Sequence, residues 1–224
     1  LREARAAAAL NHPNICTIHE VGEASGSAFI AMEYVEGHSL AHRLDEGPLP
    51  LDQALDYGIQ AADALAYAHD QGVIHRDLKA ANAIVTQSGR LKIVDFGLAR
   101  RRDPATTDAT TAATVAPIGT VMGTPYAMSP EQVRGEATDA RSDIWALGVL
   151  LHEMLSGTTP FEGATRPELF SSILRDAPRP VPAGVPARLR ALVEPCLAKA
   201  PERRYQRVVE VRSALRAVQT GTGA

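Results

Sequence analysis

The stretch HRDLKAANAIV, residues 75–85, places several chemically capable side chains directly before an apolar run. Asp77 could orient an incoming hydroxyl and accept its proton, since a positioned carboxylate is a common general base. Lys79 could meet a phosphate as a point charge, and Asn82 offers an amide oxygen to a cation. The other interpretation is a solvated turn before a strand. The remaining motifs decide between the two.

A second stretch, IVDFG at residues 93–97, places Asp95 where an apolar run meets a flexible glycine. Alone, such a tripeptide is most often an ordinary turn, because short motifs carry a high false-positive risk. Mg²⁺, however, prefers oxygen ligands and takes few of them from protein. Asn82 and Asp95 lie on either side of one predicted turn, so a hairpin would bring them close together. Together with Asp77, this spacing indicates a site that handles phosphate and metal.

Periodicity predicts the elements that position these residues, a small strand-bearing part followed by a mostly helical body. A Gly/Ser turn between two strand-like runs indicates a hairpin near the N-terminus. Gly72 is typical of a helix C-terminus, and Pro167 suits a first helical turn. The predicted helices are residues 1–10, 52–70, 141–155, 166–175, 186–199 and 207–218, and the predicted strands are residues 15–21, 28–34, 82–86 and 90–96.

Composition excludes several classes of function. The chain has 224 residues, 45% hydrophobic content and a net charge of −3, which suits a folded core and gives no basic excess for nucleic acid. Its two cysteines, Cys16 and Cys196, belong to no CxxC pair, so a reducing compartment is expected. The longest apolar stretch, residues 144–155, is too short to span a bilayer, which takes roughly 20 residues. No signal peptide is visible.

Taken together, the motifs resemble those of protein kinases of the Ser/Thr class. HRDLKAAN (75–82) is similar to the kinase catalytic loop, and DFG (95–97) is similar to the magnesium-binding motif. GTPYAMSPE (123–131) resembles the end of the activation segment, with Ser-Pro-Glu in place of Ala-Pro-Glu. SDIWALGVLLHEMLSGTTPF (142–161) resembles the helix that anchors the large lobe.

The resemblance extends to APERRYQ (200–206), which is similar to the closing motif, although Ala200 stands where the family usually has Asp. It implies that Arg204 pairs with Glu131, and that both of these and Asp143 have structural roles. It covers essentially the whole chain and is strongest to bacterial kinases of eukaryotic type. The implied fold is α+β, a protein-kinase-like two-lobed fold with an incomplete small β lobe and a mainly helical large lobe. The expected domains are a partial N-lobe at residues 1–35, the C-lobe at 36–219 and a frayed tail at 220–224.

The resemblance also implies ATP and Mg²⁺ as cofactors, and a role for each matching residue. Asp77 would be the catalytic base, and Lys79 would contact the γ-phosphate. Asn82 and Asp95 would hold Mg²⁺, and Asn82 would be a catalytic residue as well. Glu3, in the opening helix, would pair with the lysine that grips ATP; an ordinary helix-surface Glu beside two arginines is the other interpretation. Adenine would be bound by Met32 at the back of its pocket, the backbones of Glu33 and Val35, and Ile84 beneath it.

Residues 98–130 are rich in Thr and Ala and show no apolar period, which predicts a long functional or disordered loop. Arg76 could pair with a phosphate on this segment, and phosphorylation could then order it. The other interpretation is a low-complexity loop that has no regulatory role. Thr124 instead matches a position that structures the substrate site. The candidate phosphorylation sites are Thr106, Thr107, Thr110, Thr111, Thr114 and Thr120.

The sequence therefore predicts a Ser/Thr protein kinase that transfers the ATP γ-phosphate to Ser and Thr hydroxyls of protein substrates. A second copy of the kinase is a further expected partner, through phosphorylation in trans, and nucleic acid is not. Two alternatives stay open: a non-catalytic kinase-fold binding module, and a kinase-like enzyme that acts on small molecules. The intact Asp77, Asn82 and Asp95 disfavour the first, and the SPE motif disfavours the second. The domain is expected in the cytoplasm, with any membrane anchor outside this chain.

The start of the chain departs from the family pattern. Residue 1 is Leu, the chain opens inside a helical pattern, and Lys79 is its first lysine. The Gly-rich loop and the lysine expected to meet Glu3 are therefore absent. This predicts an N-terminally truncated domain whose small sheet has an open edge. We expect such a chain to bind ATP weakly and to transfer phosphate poorly.

Overall fold

A computed structural model describes residues 6–24, 27–96 and 125–221 of the chain. Residues 6–8 are helical, and two small sheets and a series of helices follow. The strands are β1 (Ile18–Ala24), β2 (Ser27–Met32), β3 (Gly37–Ser39), β4 (Ala83–Thr86) and β5 (Leu91–Ile93). The helices are α1 (Leu40–Leu44), α2 (Leu51–Asp70), α3 (Pro130–Val133), α4 (Ala140–Ser156), α5 (Arg166–Arg175), α6 (Ala187–Cys196) and α7 (Val208–Gly221). The predicted α+β class is confirmed.

The first two strands form an antiparallel hairpin, as predicted, but with different bounds. β1 and β2 pair along their length, with one irregularity near the start of β1. The strand predicted at residues 15–21 begins too early, because Ile15 forms a parallel bridge with Ile93 instead. The backbone N–H of Cys16 also donates to the Ile93 carbonyl at 2.9 Å. This connection ties the chain before the hairpin to the second sheet.

The second sheet has the order β3–β4–β5, with antiparallel pairing throughout. The β4–β5 hairpin was predicted, although β5 ends at Ile93 and the predicted strand ran to residue 96. Soon after Ile93, Asp95 adopts a left-handed φ of 66°, which is incompatible with a strand. β3 was not predicted, because three residues are too few to show a period of two. A Cβ at Gly37 would lie 2.2 Å from the Val85 carbonyl oxygen, so only glycine fits there.

The long helices lie within a few residues of their predicted positions, and their ends have identifiable causes. Asp139 accepts a hydrogen bond from the backbone N–H of Arg141 at the start of α4, and Gly157, with a φ of 70°, ends that helix. The helix predicted at residues 186–199 ends early, at Cys196. The next two N–H groups bond to carbonyls three residues back and close a tight final turn.

The core is built around α2 and α4. α2 packs against α4 and α7, and α4 also packs against α6. α4 is buried along nearly its whole length, and Trp145 and Leu147 have no exposed surface. Ala7 and Leu10 near the N-terminus belong to the same core cluster. Within the described ranges, no helix has both the length and the apolarity needed to cross a membrane.

Gly148 allows α4 and α6 to approach closely. A Cβ here would lie 2.6 Å from the Cβ of Cys196 and 3.1 Å from the Cδ2 of Leu197. We expect Gly148→Val to lower the free energy of unfolding by about 1–3 kcal/mol, the usual cost of overpacking, as measured by urea unfolding. At Gly184 nothing lies within 4 Å of an added Cβ. The control Gly184→Ala should therefore change the free energy of unfolding by under about 0.5 kcal/mol. Equal losses in the two variants would contradict this account.

Candidate active site

Asp77, Lys79 and Asn82 meet in one cluster. The Nζ of Lys79 lies 2.8 and 3.0 Å from the two carboxylate oxygens of Asp77. A short 3-10 turn, Ala80–Asn82, brings Asn82 back toward Asp77, where its Nδ2 donates to the backbone carbonyl at 2.8 Å and to the carboxylate at 3.1 Å. The Asp77 side chain is 37% exposed. Its carboxylate is therefore held in place and still accessible to a ligand, and a carboxylate positioned in this way can act as a general base.

Asp143, in the first turn of α4, fixes the backbone just before this cluster. It is completely buried. Its two oxygens accept hydrogen bonds from the backbone N–H groups of His75 and Arg76, each at 2.8 Å, and His69 Nε2 lies 2.8 Å from one of them. Burial alone would raise the pKa of Asp143, but the bond from His69 and the neighbouring donors outweigh it and hold the pKa below its usual value. An ionised carboxylate thus fixes the start of the loop.

His75 connects the loop to the chain after β5. Its Nδ1 accepts a hydrogen bond from the Asp77 backbone N–H at 3.1 Å, so Nε2 carries the hydrogen of the neutral ring and donates to the Val94 carbonyl at 2.9 Å. Burial lowers the pKa of His75, which favours this neutral form. The ring also meets Phe96 edge-on, with centroids 4.5 Å apart. Since Val94 and Phe96 flank Asp95, His75 sets the position of Asp95 relative to Asp77.

The β4–β5 hairpin joins the backbone of Asn82 to the residue before Asp95. The Val94 N–H donates to the Asn82 carbonyl at 2.9 Å. The side-chain nitrogen of Asn82 is used by Asp77, which leaves the amide oxygen for a cation. No group of three or more His, Cys, Asp and Glu in the described residues could hold a metal. An amide and a carboxylate oxygen do fit Mg²⁺, which takes its other ligands from phosphate and water.

The residues predicted to bind adenine begin at the end of β2. Met32 is 39% exposed. The backbone N–H of Glu33 donates to the Thr17 carbonyl at 2.8 Å, so this donor is already used. The Glu33 carbonyl lies 3.4 Å from Cys16 Sγ, which is only a weak donor. Of the Glu33 backbone, the carbonyl is therefore the group that suits a ligand.

The carboxylate of Glu33 ties the same segment to β5. It lies 2.7 Å from Lys92 Nζ and accepts a hydrogen bond from the Thr17 N–H at 3.2 Å. Burial alone would raise the pKa of Glu33, but these bonds outweigh it and lower the pKa. Ile84, half-buried, pairs with Lys92 across the sheet, and Val35 is also half-buried. The segment is thus fixed against the second sheet.

The predicted pair of Glu131 and Arg204 is present, and both residues are buried. The Arg204 guanidinium donates to the two carboxylate oxygens at 2.8 and 2.7 Å, and the Ser142 hydroxyl donates at 2.7 Å. Arg204 also donates to the carbonyls of Arg141 and Ala198. Burial alone would raise the pKa of Glu131, but these donors lower it to about 2. The pair joins α3 and α4 to the segment before α7.

Three residues that hold the site had no assigned role in the sequence pattern. His75 is visible in the HRD motif, but its partners are not. His69 bonds to a residue 74 positions away. Gln132 donates to the Arg76 carbonyl at 2.7 Å, 56 positions away, and accepts from the Ser129 N–H at 2.9 Å. Such separations leave no periodic signal in a single sequence.

Several predicted site residues lie outside the described part of the chain, and their roles stay predictions. They are Glu3, Thr106, Thr107, Thr110, Thr111, Thr114, Thr120 and Thr124. Arg76, the predicted phosphate partner, is described and has a left-handed φ of 67°. Its N–H and carbonyl are bound by Asp143 and Gln132, so its backbone is fixed beside Asp77.

The α+β fold thus holds the Asp77 carboxylate next to Lys79 and Asn82, a combination that phosphoryl transfer can use. A family model described as "Protein kinase domain" matches residues 1–216, and the chain belongs to this family. Serine/threonine-protein kinase PknB of Mycobacterium leprae is 41% identical over 98% of this chain. Serine/threonine-protein kinase pkn2 of Myxococcus xanthus is 39% identical over 100% of it.

A solved structure gives the same result for the fold. The PknI kinase domain of Mycobacterium tuberculosis, solved as a point mutant, has a TM-score of 0.71 and 29% identity, and the match covers 98% of this chain and 76% of that one. The chain spans 36% of the length of the M. leprae PknB and 27% of the length of pkn2. The match to the solved PknI domain and to the family model shows that this chain has the kinase fold.

The Glu131 ion pair should make stability depend on pH in the acid range. The folded pKa of about 2 lies below the ordinary value of 4.5, so the pair contributes stability above that value and loses it as pH falls toward the folded pKa. We expect Glu131→Gln to lower the free energy of unfolding at neutral pH by about 3–5 kcal/mol, because Arg204 is left buried without its partner. The loss should shrink on acidification, as measured by urea unfolding across this pH range.

The exposed Glu136, 3.7 Å from Arg134, provides the matched control. Glu136→Gln should change the free energy of unfolding by under about 1 kcal/mol. Losses of similar size in the two variants, or a Glu131→Gln loss that does not change with pH, would show that the buried pair does not stabilise the fold in this way.

Proposed function

We propose that this chain belongs to the catalytic domain of a serine/threonine protein kinase, which transfers the γ-phosphate of ATP to Ser and Thr hydroxyls of proteins. The observation that carries the proposal is the Asp77 carboxylate, bound by Lys79 and Asn82 and still partly exposed. Membership of the protein kinase family and relatives named as serine/threonine-protein kinases support it.

Asp77 acts on the acceptor in this proposal. Its carboxylate accepts a hydrogen bond from the acceptor hydroxyl and aims the oxygen at the γ-phosphorus. It takes the proton as the new O–P bond forms and the bond between the γ-phosphorus and the bridging oxygen of ATP breaks. Lys79, whose Nζ lies 2.8 Å from Asp77, offsets the negative charge on the phosphoryl oxygens.

The nucleotide is assigned to residues from both sheets. Asn82 and Asp95 would supply the protein oxygens for Mg²⁺, which neutralises phosphate charge when bound. Asn82 also keeps Asp77 oriented through its Nδ2. Adenine is assigned to Met32, Ile84 and the backbones of Glu33 and Val35.

Regulation and partners follow from the same proposal. Arg76 would pair with a phosphorylated Thr of residues 98–130, and protein substrates or a second copy of the kinase would supply the acceptor hydroxyls. Residues 1–35 would belong to the small lobe and residues 36–219 to the large lobe, with residues 220–224 as a tail. We place the domain in the cytoplasm.

Asp77→Asn removes the proton acceptor with little change in size. In the protein as its own cell makes it, we expect transfer of labelled γ-phosphate to casein and to the kinase itself to fall by about a hundredfold or more. Binding of a fluorescent ATP analogue should be unchanged. The control is Asp70→Asn, at an exposed position at the end of α2. Transfer at the wild-type rate in Asp77→Asn would refute the assignment, and wild-type protein that binds nucleotide without transfer would favour the binding module.

Asp95→Asn tests the magnesium assignment separately. Asn tolerates the left-handed backbone that Asp95 adopts, so the variant removes a charge without disturbing the turn. We expect the affinity for ATP in the presence of Mg²⁺ to fall by about tenfold or more, as loss of a metal-site group does. The affinity measured in EDTA should not fall. An equal loss in both titrations would mean that Asp95 positions the nucleotide without binding the metal.

A further inference from the structure

A groove outside the candidate active site lies along α6, and we call it the α6 groove. Its volume is about 990 Å³, at the upper end of the roughly 300–1,000 Å³ typical of ligand sites. It is lined by the end of α5, the connector at residues 176–181, one face of α6 and part of residues 197–203. No residue assigned above to ATP, Mg²⁺ or the acceptor hydroxyl lines it.

Small, apolar side chains keep the α6 groove open. Ala187, Ala191 and Pro195 recur every four residues on α6, so they lie on one face of the helix. Pro178 and Pro180 of the connector also line the groove. None of these side chains is long enough to fill the space, which leaves an apolar trough.

The connector that forms one wall is held in place by α4. The buried imidazole of His152 lies 2.9 Å from the Arg179 carbonyl and 2.9 Å from the Thr158 carbonyl. The Arg179 N–H donates to the Pro160 carbonyl at 2.9 Å, and its guanidinium pairs with Glu162. A wall fixed in this way is formed before a ligand arrives, which lowers the entropy cost of binding.

Five cationic side chains line the α6 groove, and four of them form no ion pair with a carboxylate in the described part of the chain. Those four are Arg175, Arg190, Lys199 and Arg203, whereas Arg179 pairs with Glu162. Arg190 donates to the Val185 carbonyl at 3.1 Å. The Nζ of Lys199 donates to the Ile173 carbonyl at 2.6 Å and lies 3.8 Å from the centroid of the Phe161 ring, so Lys199 adds positive charge while the arginines are the groups that can bind a carboxylate. Burial lowers the pKa of Lys199 to about 8, so its amine is still mostly protonated at neutral pH.

The charge balance of the α6 groove differs from that of the whole chain. Two acids, Asp176 and Glu194, also line it, and Arg179 is neutralised by Glu162. Four positive charges against two negative ones leave a positive excess, whereas the chain as a whole carries −3. The groove therefore favours an anionic ligand over a basic one, since like charges across an interface are costly.

We propose that the α6 groove binds an acidic segment of another protein, with its carboxylates on the cations and an apolar side chain in the trough. Arginine suits this role because its guanidinium binds a carboxylate through two parallel hydrogen bonds. The cations come from three separate segments with an apolar wall between them. A chain with several carboxylates uses more of that lining than a single small anion does. The proposal does not depend on phosphate transfer.

The test measures peptide binding by fluorescence anisotropy at physiological salt, without ATP. The probe is a fluorescein-labelled peptide of sequence Glu-Leu-Glu-Glu-Leu-Glu, compared with the same peptide carrying Gln for Glu. We expect saturable binding of the Glu peptide alone. The double variant Arg175→Gln, Arg203→Gln and the groove-filling variant Ala191→Phe should each weaken it by about tenfold or more, as truncation of central contacts does.

Matched controls separate the groove from general charge attraction. Arg216→Gln and Ala217→Phe, at exposed positions on α7 outside the groove, should bind the peptide like the wild type. Equal weakening in the control and groove variants, equal binding of the Gln peptide, or no saturable binding would overturn the proposal. Self-association of the wild type that Ala191→Phe abolishes in sedimentation would assign the groove to a second copy and would also overturn it.

Discussion

The buried carboxylate of Asp143 is the interaction on which the candidate active site depends. A buried charge is costly unless it is hydrogen-bonded, and here His69, His75 and Arg76 each supply a donor at 2.8 Å. Two of these donors are successive backbone N–H groups, which need an acceptor wherever they are buried. Asp143 thus satisfies the backbone donors at the start of the 75–82 stretch, and its own helix α4 is buried in the core. The position of Asp77 follows from this attachment.

Two residues of the candidate site have a strained backbone that buried contacts hold in place. Within the described residues, the non-glycine residues with positive φ are Arg76 and Asp95, at 67° and 66°. Each such conformation costs about 1–3 kcal/mol and persists only where the surroundings enforce it. Asp143 enforces the first, and the contacts of His75 with Val94 and Phe96 enforce the second. Asp77 and Asp95, the two carboxylates with a proposed part in phosphate transfer, are therefore positioned by buried contacts that form before any ligand binds.

The helices were largely predictable from the sequence, because helical periodicity and end signals are local. The helix predicted at 52–70 is Leu51–Asp70, and the helix predicted at 166–175 has those bounds. The strands were less predictable. Ile15 has strand character, yet its partner is Ile93 in the other sheet, and no local pattern reveals a partner so distant. β3 is too short to carry a pattern at all.

In the candidate site, too, the residues that lie close together in the sequence were predictable and those with distant partners were not. Asp77, Lys79 and Asn82 lie within six residues and interact with one another, so their spacing alone indicated a cluster. Asp95 could be added because one hairpin joins it to Asn82. The residues that hold the site in place could not be predicted, since His69 and Gln132 bind partners more than fifty residues away. Asp143 was implied only by the resemblance to kinases, and its partners were not.

One helix supports both the candidate active site and the α6 groove. Asp143 in the first turn of α4 binds the backbone of His75 and Arg76 in the candidate active site, and His152, nine residues later, contacts the connector of the groove. At 1.5 Å per residue the two attachments are roughly 14 Å apart along the helix axis. α4 is buried along nearly its whole length, so this spacing cannot change without disrupting the core. A protein that placed an acidic segment in the groove and a hydroxyl at Asp77 would thus meet two surfaces at a fixed separation. The chain between its two segments would set the effective concentration of the hydroxyl, which is greatest when that chain matches the span and falls when it is too short or much longer.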